Sequence, residues 1–172
     1  MPNTKSVGVA FSDPELTSGT TITGAVIDST SKILSNIANG STASQQGATI
    51  ATTGNSDVFV IAPAAGTLTS AVFSGTDALT TSDTNFITFS ITNLGLTGSG
   101  SAVMLAATDA NTTKATGGTA LTANAARTLT LNGTAANLVV AAGDRLRIRA
   151  AATGTLANTV TFPVYRVNFT VV

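Results

Sequence analysis

From about residue 56 onward, apolar and polar positions alternate with a period of two. In the stretch from Phe86 to Asn93, Ile87, Phe89 and Ile91 alternate with Thr88, Ser90 and Thr92, the pattern of a strand with one face buried and one wet. The same period sets Leu129 and Leu131 against Thr128 and Thr130, and Leu146 and Ile148 against Arg145, Arg147 and Arg149. It also sets Tyr165, Val167, Phe169 and Val171 against Arg166, Asn168 and Thr170. Turn chemistry punctuates these runs at Pro63 to Gly66, at Asn132-Gly133 and at Gly143-Asp144. The first turn predicts a hairpin between the β-rich runs on either side of it. About eight strands after residue 50, closely spaced and with no long helical period between them, predict an all-β, antiparallel sandwich or barrel. Eight antiparallel strands in two packed sheets is the jelly-roll number, so a jelly-roll domain over residues 50–172 is the expected architecture. Phe59, Phe73, Phe86, Phe89, Phe162 and Phe169 are its expected core anchors.

Residues 1–49 read differently. Ser, Thr, Gly and Gln dominate, and apolar residues such as Val7, Val9 and Phe11 are scattered. One short helical spacing occurs, with Ile33, Leu34 and Ile37 on one face after possible caps at Asp28 to Ser31. Two turns of helix are marginal in isolation and need a surface to dock on. The segment reads as an extended N-terminal arm or peripheral strands, with a disordered tail as the alternative. If it is an arm, Val7, Val9 and Phe11 are candidate contacts with a neighbour.

Composition narrows the chemistry. The 172 residues contain no histidine, cysteine or tryptophan and a single tyrosine. Histidine is the usual proton carrier near neutral pH and the commonest metal ligand, and cysteine is the other main soft ligand and nucleophile. A Ser or Thr nucleophile would therefore lack a credible base, and an enzyme is not the expected reading. Only 9% of residues are charged and the net charge is zero, against roughly 25% charged in typical soluble domains. Such a surface reads as one covered by copies of the chain or by a partner, unless Thr, Ser and Asn alone solvate a monomer. Seven of the eight acids precede residue 110 and six of the eight bases follow it, an asymmetry that suits head-to-tail contacts between subunits as well as internal neutralisation. With no basic excess and few aromatics, nucleic-acid binding is not favoured. No apolar run reaches the 18 or so residues of a membrane span, and no secretory h-region is visible near Met1.

Two local features invite a site. Arg145, Arg147 and Arg149 fall on one face of a predicted strand about 7 Å apart. Like charges at that spacing repel unless an acidic or phosphate group lies opposite, so the face is solvated, a contact with another subunit of an assembly, or a seat for an anionic ligand. Asp77 and Asp83 could share a calcium loop, but the spacing of an EF-hand is missing. Asp57 and Asp109 read as turn or edge residues. No cofactor is expected.

Taken together, the runs SDVFVIAPAAGTLTSAVFSG, FITFSITNLG, TLTLNGTAANLVVAAGDRLRIRA and VTFPVYRVNFTVV resemble the small jelly-roll proteins of tailed-bacteriophage heads. The early turn from Ala62 to Thr67 and the late Gly-Asp turn from Ala142 to Ile148 carry the likeness, which spans about residues 56–172. The resemblance implies a capsid decoration, or cement, protein made in the host cytoplasm. Such a protein is commonly a homotrimer, sits on the outside of the head and clamps adjacent major capsid proteins. A receptor- or glycan-binding head of a phage fibre or spike is the alternative.

Overall fold

The computed structural model describes residues 40–171. The arm residues Val7, Val9 and Phe11 and the short helical spacing at residues 33–37 lie outside them. Among the described residues, nine strands form two antiparallel sheets: β1 (Gly40–Gln46), β2 (Asn55–Ile61), β3 (Gly66–Ser74), β4 (Phe86–Asn93), β5 (Ala102–Val103), β6 (Arg127–Leu129), β7 (Val139–Val140), β8 (Arg145–Thr153) and β9 (Val164–Val171). One sheet has the order β1-β9-β3-β6, with β7 also on β3, and the other has the order β2-β8-β4-β5. The chain passes repeatedly from one sheet to the other, which is the winding of a jelly roll. The sandwich takes in β1, which pairs with β9 along its whole length from Gly40 to Gln46.

Alternation explains which face of each strand turns inward. Val58 and Val60 of β2, Ile87, Phe89 and Ile91 of β4, and Leu146, Ile148 and Ala150 of β8 point into the sandwich from one sheet. Leu68, Ala71 and Phe73 of β3 and Tyr165, Val167 and Phe169 of β9 face them from the other. The three-residue step from Leu68 to Ala71 is a β-bulge, where the register with β9 slips between Leu68 and Ser70. At the centre, the Phe73 ring lies 4.7 Å from Phe89 and 5.3 Å from Tyr165, centroid to centroid, in tilted pairs.

The expected hairpin between β2 and β3 does not form. These strands belong to different sheets, and the Pro63 to Gly66 turn carries the chain across the sandwich. Its partner is the late turn: Gly143 N–H donates to Ala62 O at 2.8 Å, and Ala62 N–H donates to Asp144 O at 2.9 Å. Gly143 holds φ at +85°, a conformation that suits glycine, and a Cβ there would come within 2.8 Å of Leu96. Two crossings, far apart in sequence, thus tie each other at one end of the sandwich.

The phenylalanine expectation needs correction as well. Phe73, Phe89 and Phe169 are core residues, but Phe86 is only half-buried, and Phe59 and Phe162 are 46% and 63% exposed. Phe59 is turned outward because Val58 and Val60 take the inward positions of β2. Phe162 sits not in a strand but in the loop before β9, with φ at +47°, while its neighbour Pro163 is buried.

Candidate interaction face

The outer face of the β2-β8-β4-β5 sheet collects the predicted arginines. On β8, Leu146, Ile148 and Ala150 are buried, leaving Arg145 exposed and Arg147 and Arg149 half-buried on the opposite side. All three therefore share one face, as the period predicted. The register places Asp57 opposite Arg149, Phe59 opposite Arg147 and Ile61 opposite Arg145 on the β2 side. On the β4 side, Ser90 lies opposite Arg149 and Thr92 opposite Arg147.

The three arginines have different surroundings. Arg149 is bidentate to Asp57, with Nε and Nη2 donating to the two carboxylate oxygens at 2.6 and 2.7 Å. That geometry is the strong form of an Arg–carboxylate pair. The hydrogen bond from Arg149 holds the Asp57 carboxyl below its usual range, with the charges of Arg149 and Arg147 adding to the effect against a partial desolvation. The same bond raises Arg149. Asp57 is thus an edge-strand residue, one of the two places its sequence suggested, and its carboxylate is engaged with Arg149 and not with its own backbone. Arg145 lies over the Phe59 ring, 5.1 Å from its centroid, in a cation–π contact. The buried Nε–H of Arg147 has no acceptor among the described residues.

Phe59 and Ile61, the latter 53% exposed, make the β2 edge of this face apolar. Toward β4 and β5 the face dips into a cleft of about 430 Å³, lined among others by Phe86, Thr88, Ser90, Val103 and Lys114. Lys114 stands 5.0 Å over the Phe86 ring and donates to Asp109 at 2.8 Å, so the lysine and carboxylate of this cleft neutralise each other. Asp109, read from sequence as a turn or edge residue, opens a short 3-10 turn and forms that ion pair.

Asp77 and Asp83 do not converge. Asp77 accepts from Thr161 N–H at 2.7 Å and from the Thr161 and Thr76 hydroxyls, which hold its carboxyl below the usual range. Asp83 accepts from Thr116 N–H and hydroxyl at 2.8 and 3.0 Å, with the same effect on its carboxyl. Each closes a different pair of loops. Among the described residues, no group of three or more acidic side chains is placed to hold a metal ion.

Several structural anchors left no sequence motif. Arg127, more than half-buried, donates to the carbonyls of Thr119, Ala110 and Thr112 at 2.6 to 2.9 Å and stacks 5.3 Å over Phe89. Asn111, 1% exposed, donates to the carbonyls of Ala106 and Thr130 and accepts from Thr130 N–H, each at 2.8 Å. Together they shape the long connection between β5 and β6 that walls the cleft. Comparison with known protein families, curated proteins and solved structures finds no match to this chain.

Proposed function

We propose that the chain is a structural virion protein, a decoration or cement subunit that binds the outside of a phage head and stabilises contacts between major capsid proteins. Its jelly-roll domain is the rigid body of that subunit, working as a homotrimer. One observation carries the reading: a sheet face that exposes Phe59 and Ile61 beside Arg145 and Arg147, which have no carboxylate partner among the described residues, in a chain otherwise poor in charge. Aromatic residues and arginine are the side chains that concentrate at the energetic centres of protein interfaces. The resemblance to phage-head jelly rolls supplies the kind of assembly.

Electron microscopy of particles that carry the chain tests this directly. The expected result is density on the outer capsid lattice, repeated at sites where capsid proteins meet. Density on a tail fibre would overturn it in favour of a receptor-binding head. Light scattering on the purified full chain should give a trimer, and a monodisperse monomer at high concentration would remove that part of the reading.

A further inference from the structure

Each acidic side chain among the described residues is already engaged within the chain. Asp57 pairs with Arg149, Asp77 with Thr161, Asp83 with Thr116, Asp109 with Lys114, and Asp144 with Asn93. The cations are not matched in the same way. Among the described residues, Arg145 and Arg147 form no ion pair. They are two residues apart on β8, beside Phe59 and Ile61, which are two residues apart on β2.

We infer that these four side chains are the docking surface for an extended, carboxylate-bearing segment of a partner protein. Residues i and i+2 of such a segment point the same way about 7 Å apart, the spacing of Arg145 and Arg147 along their strand. Two carboxylates would meet the two guanidinium groups, while their methylene stems and adjacent apolar groups cover Phe59 and Ile61. Arg149 is saturated by Asp57, so the matching acidic stretch is two carboxylates long along this strand, not three.

The surface is also prepared for such a ligand. The Phe59 ring holds the Arg145 guanidinium, and part of Arg147 is already out of water in the free protein. Less side-chain freedom and less hydration are then lost on binding. The carboxylates on the described part of a second copy are all taken, so the described sandwich of a second copy offers no matching group, and the occupant we assign is a segment of another protein. The inference rests on the chain being an assembly subunit, and it names the chemistry of the surface that the subunit grips.

The test uses the full chain, titrated calorimetrically with a synthetic decapeptide of alternating Val and Glu and with its Val-Gln counterpart. The Glu peptide is expected to bind at least tenfold more tightly, with an advantage that fades as salt rises toward about 0.5 M. The double variant Arg145→Gln, Arg147→Gln should lose that advantage. Arg166→Gln, which removes an exposed arginine from β9 in the other sheet, should keep it. Equal binding of the two peptides, no binding of the Glu peptide, or an unchanged advantage in the double variant would overturn the inference. If circular dichroism shows the double variant unfolded, Phe59→Ser is the substitute, with a several-fold loss of Glu-peptide affinity expected and an unchanged affinity overturning. Particle decoration separates this inference from the function it rests on. Capsids decorated equally by wild type and double variant would remove the docking surface and leave the decoration role. Peptide discrimination by a chain that particles carry only on a tail fibre would do the reverse.

Discussion

Replacing Asp144 with alanine removes the acceptor that organises the end of the sandwich from which Arg145 emerges. Asp144 is 8% exposed, and one of its carboxylate oxygens accepts both from Asn93 Nδ2 and from Ala141 N–H, each at 2.8 Å. A hydrogen bond to a charged acceptor contributes about 1.5 to 3 kcal/mol, and a buried donor left alone costs about 1 to 3 kcal/mol. The Asn93 amide has only a 3.5 Å contact with Val139 O to fall back on. These contributions overlap, so Asp144→Ala should cost about 3 to 5 kcal/mol, a large share of the 5 to 15 kcal/mol by which domains are stable. Asp144→Asn separates geometry from charge. Both bonds fall on one oxygen, so an amide oxygen in the same place keeps both, and the loss should be only about 1 kcal/mol. Urea unfolding followed by circular dichroism at fixed protein concentration measures both variants, with the midpoint falling and the slope unchanged. An alanine variant within about 1 kcal/mol of wild type, or an asparagine variant as damaged as the alanine one, would refute the reasoning.

Arg127→Ala should cost about 2 to 4 kcal/mol, because three carbonyls lose one donor group; amide exchange should accelerate between residues 106 and 122, and uniform protection would count against it. The Tyr165 hydroxyl is buried without a partner among the described residues, so Tyr165→Phe should be neutral or more stable by about 1 kcal/mol in the same urea assay. Phe89→Ala opens a cavity at the centre of the aromatic cluster and should cost about 3 to 5 kcal/mol, read from the unfolding midpoint. Asp57 has a carboxyl held low in the folded state, so its contribution is present above the unfolded value of about 3.9 and is lost as pH falls through the lower folded one. Asp57→Asn should therefore flatten the acid limb of the stability–pH curve below about pH 4, by under about 1 kcal/mol because the pair is partly exposed.

Strand existence was legible because each β-strand advertises its own burial. Thr88, Ser90 and Thr92 mark the wet side of β4 so plainly that Ile87, Phe89 and Ile91 can only face inward. Arg145, Arg147 and Arg149 do the same for β8. Strand partnership was not legible, because it depends on residues far away. Nothing in the Pro63 to Gly66 turn says whether the next strand folds back or crosses the sandwich. The deciding bonds come from Gly143 and Asp144. The Asp57–Arg149 pair was hidden for the same reason, since only the register of β2 on β8 brings the two together.

Phe59 and Phe162 were misplaced for a different reason, and the difference bears on function. In β2 both faces are apolar at the end of the strand: Val58 and Val60 on one side, Phe59 and Ile61 on the other, with Asn55 and Asp57 the polar markers of the outer side at its start. A sequence under pressure only to fold would be expected to place polar residues at 59 and 61, as β4 does at Thr88, Ser90 and Thr92. Phe162 breaks a second local rule, holding a left-handed backbone directly before a proline while Asp77 fixes Thr161 beside it. Departures of this kind are expected where a surface does something besides hold the fold together. At Phe59 the departure coincides with two arginines lacking carboxylate partners among the described residues, which sets that face apart from the more exposed loop at Phe162.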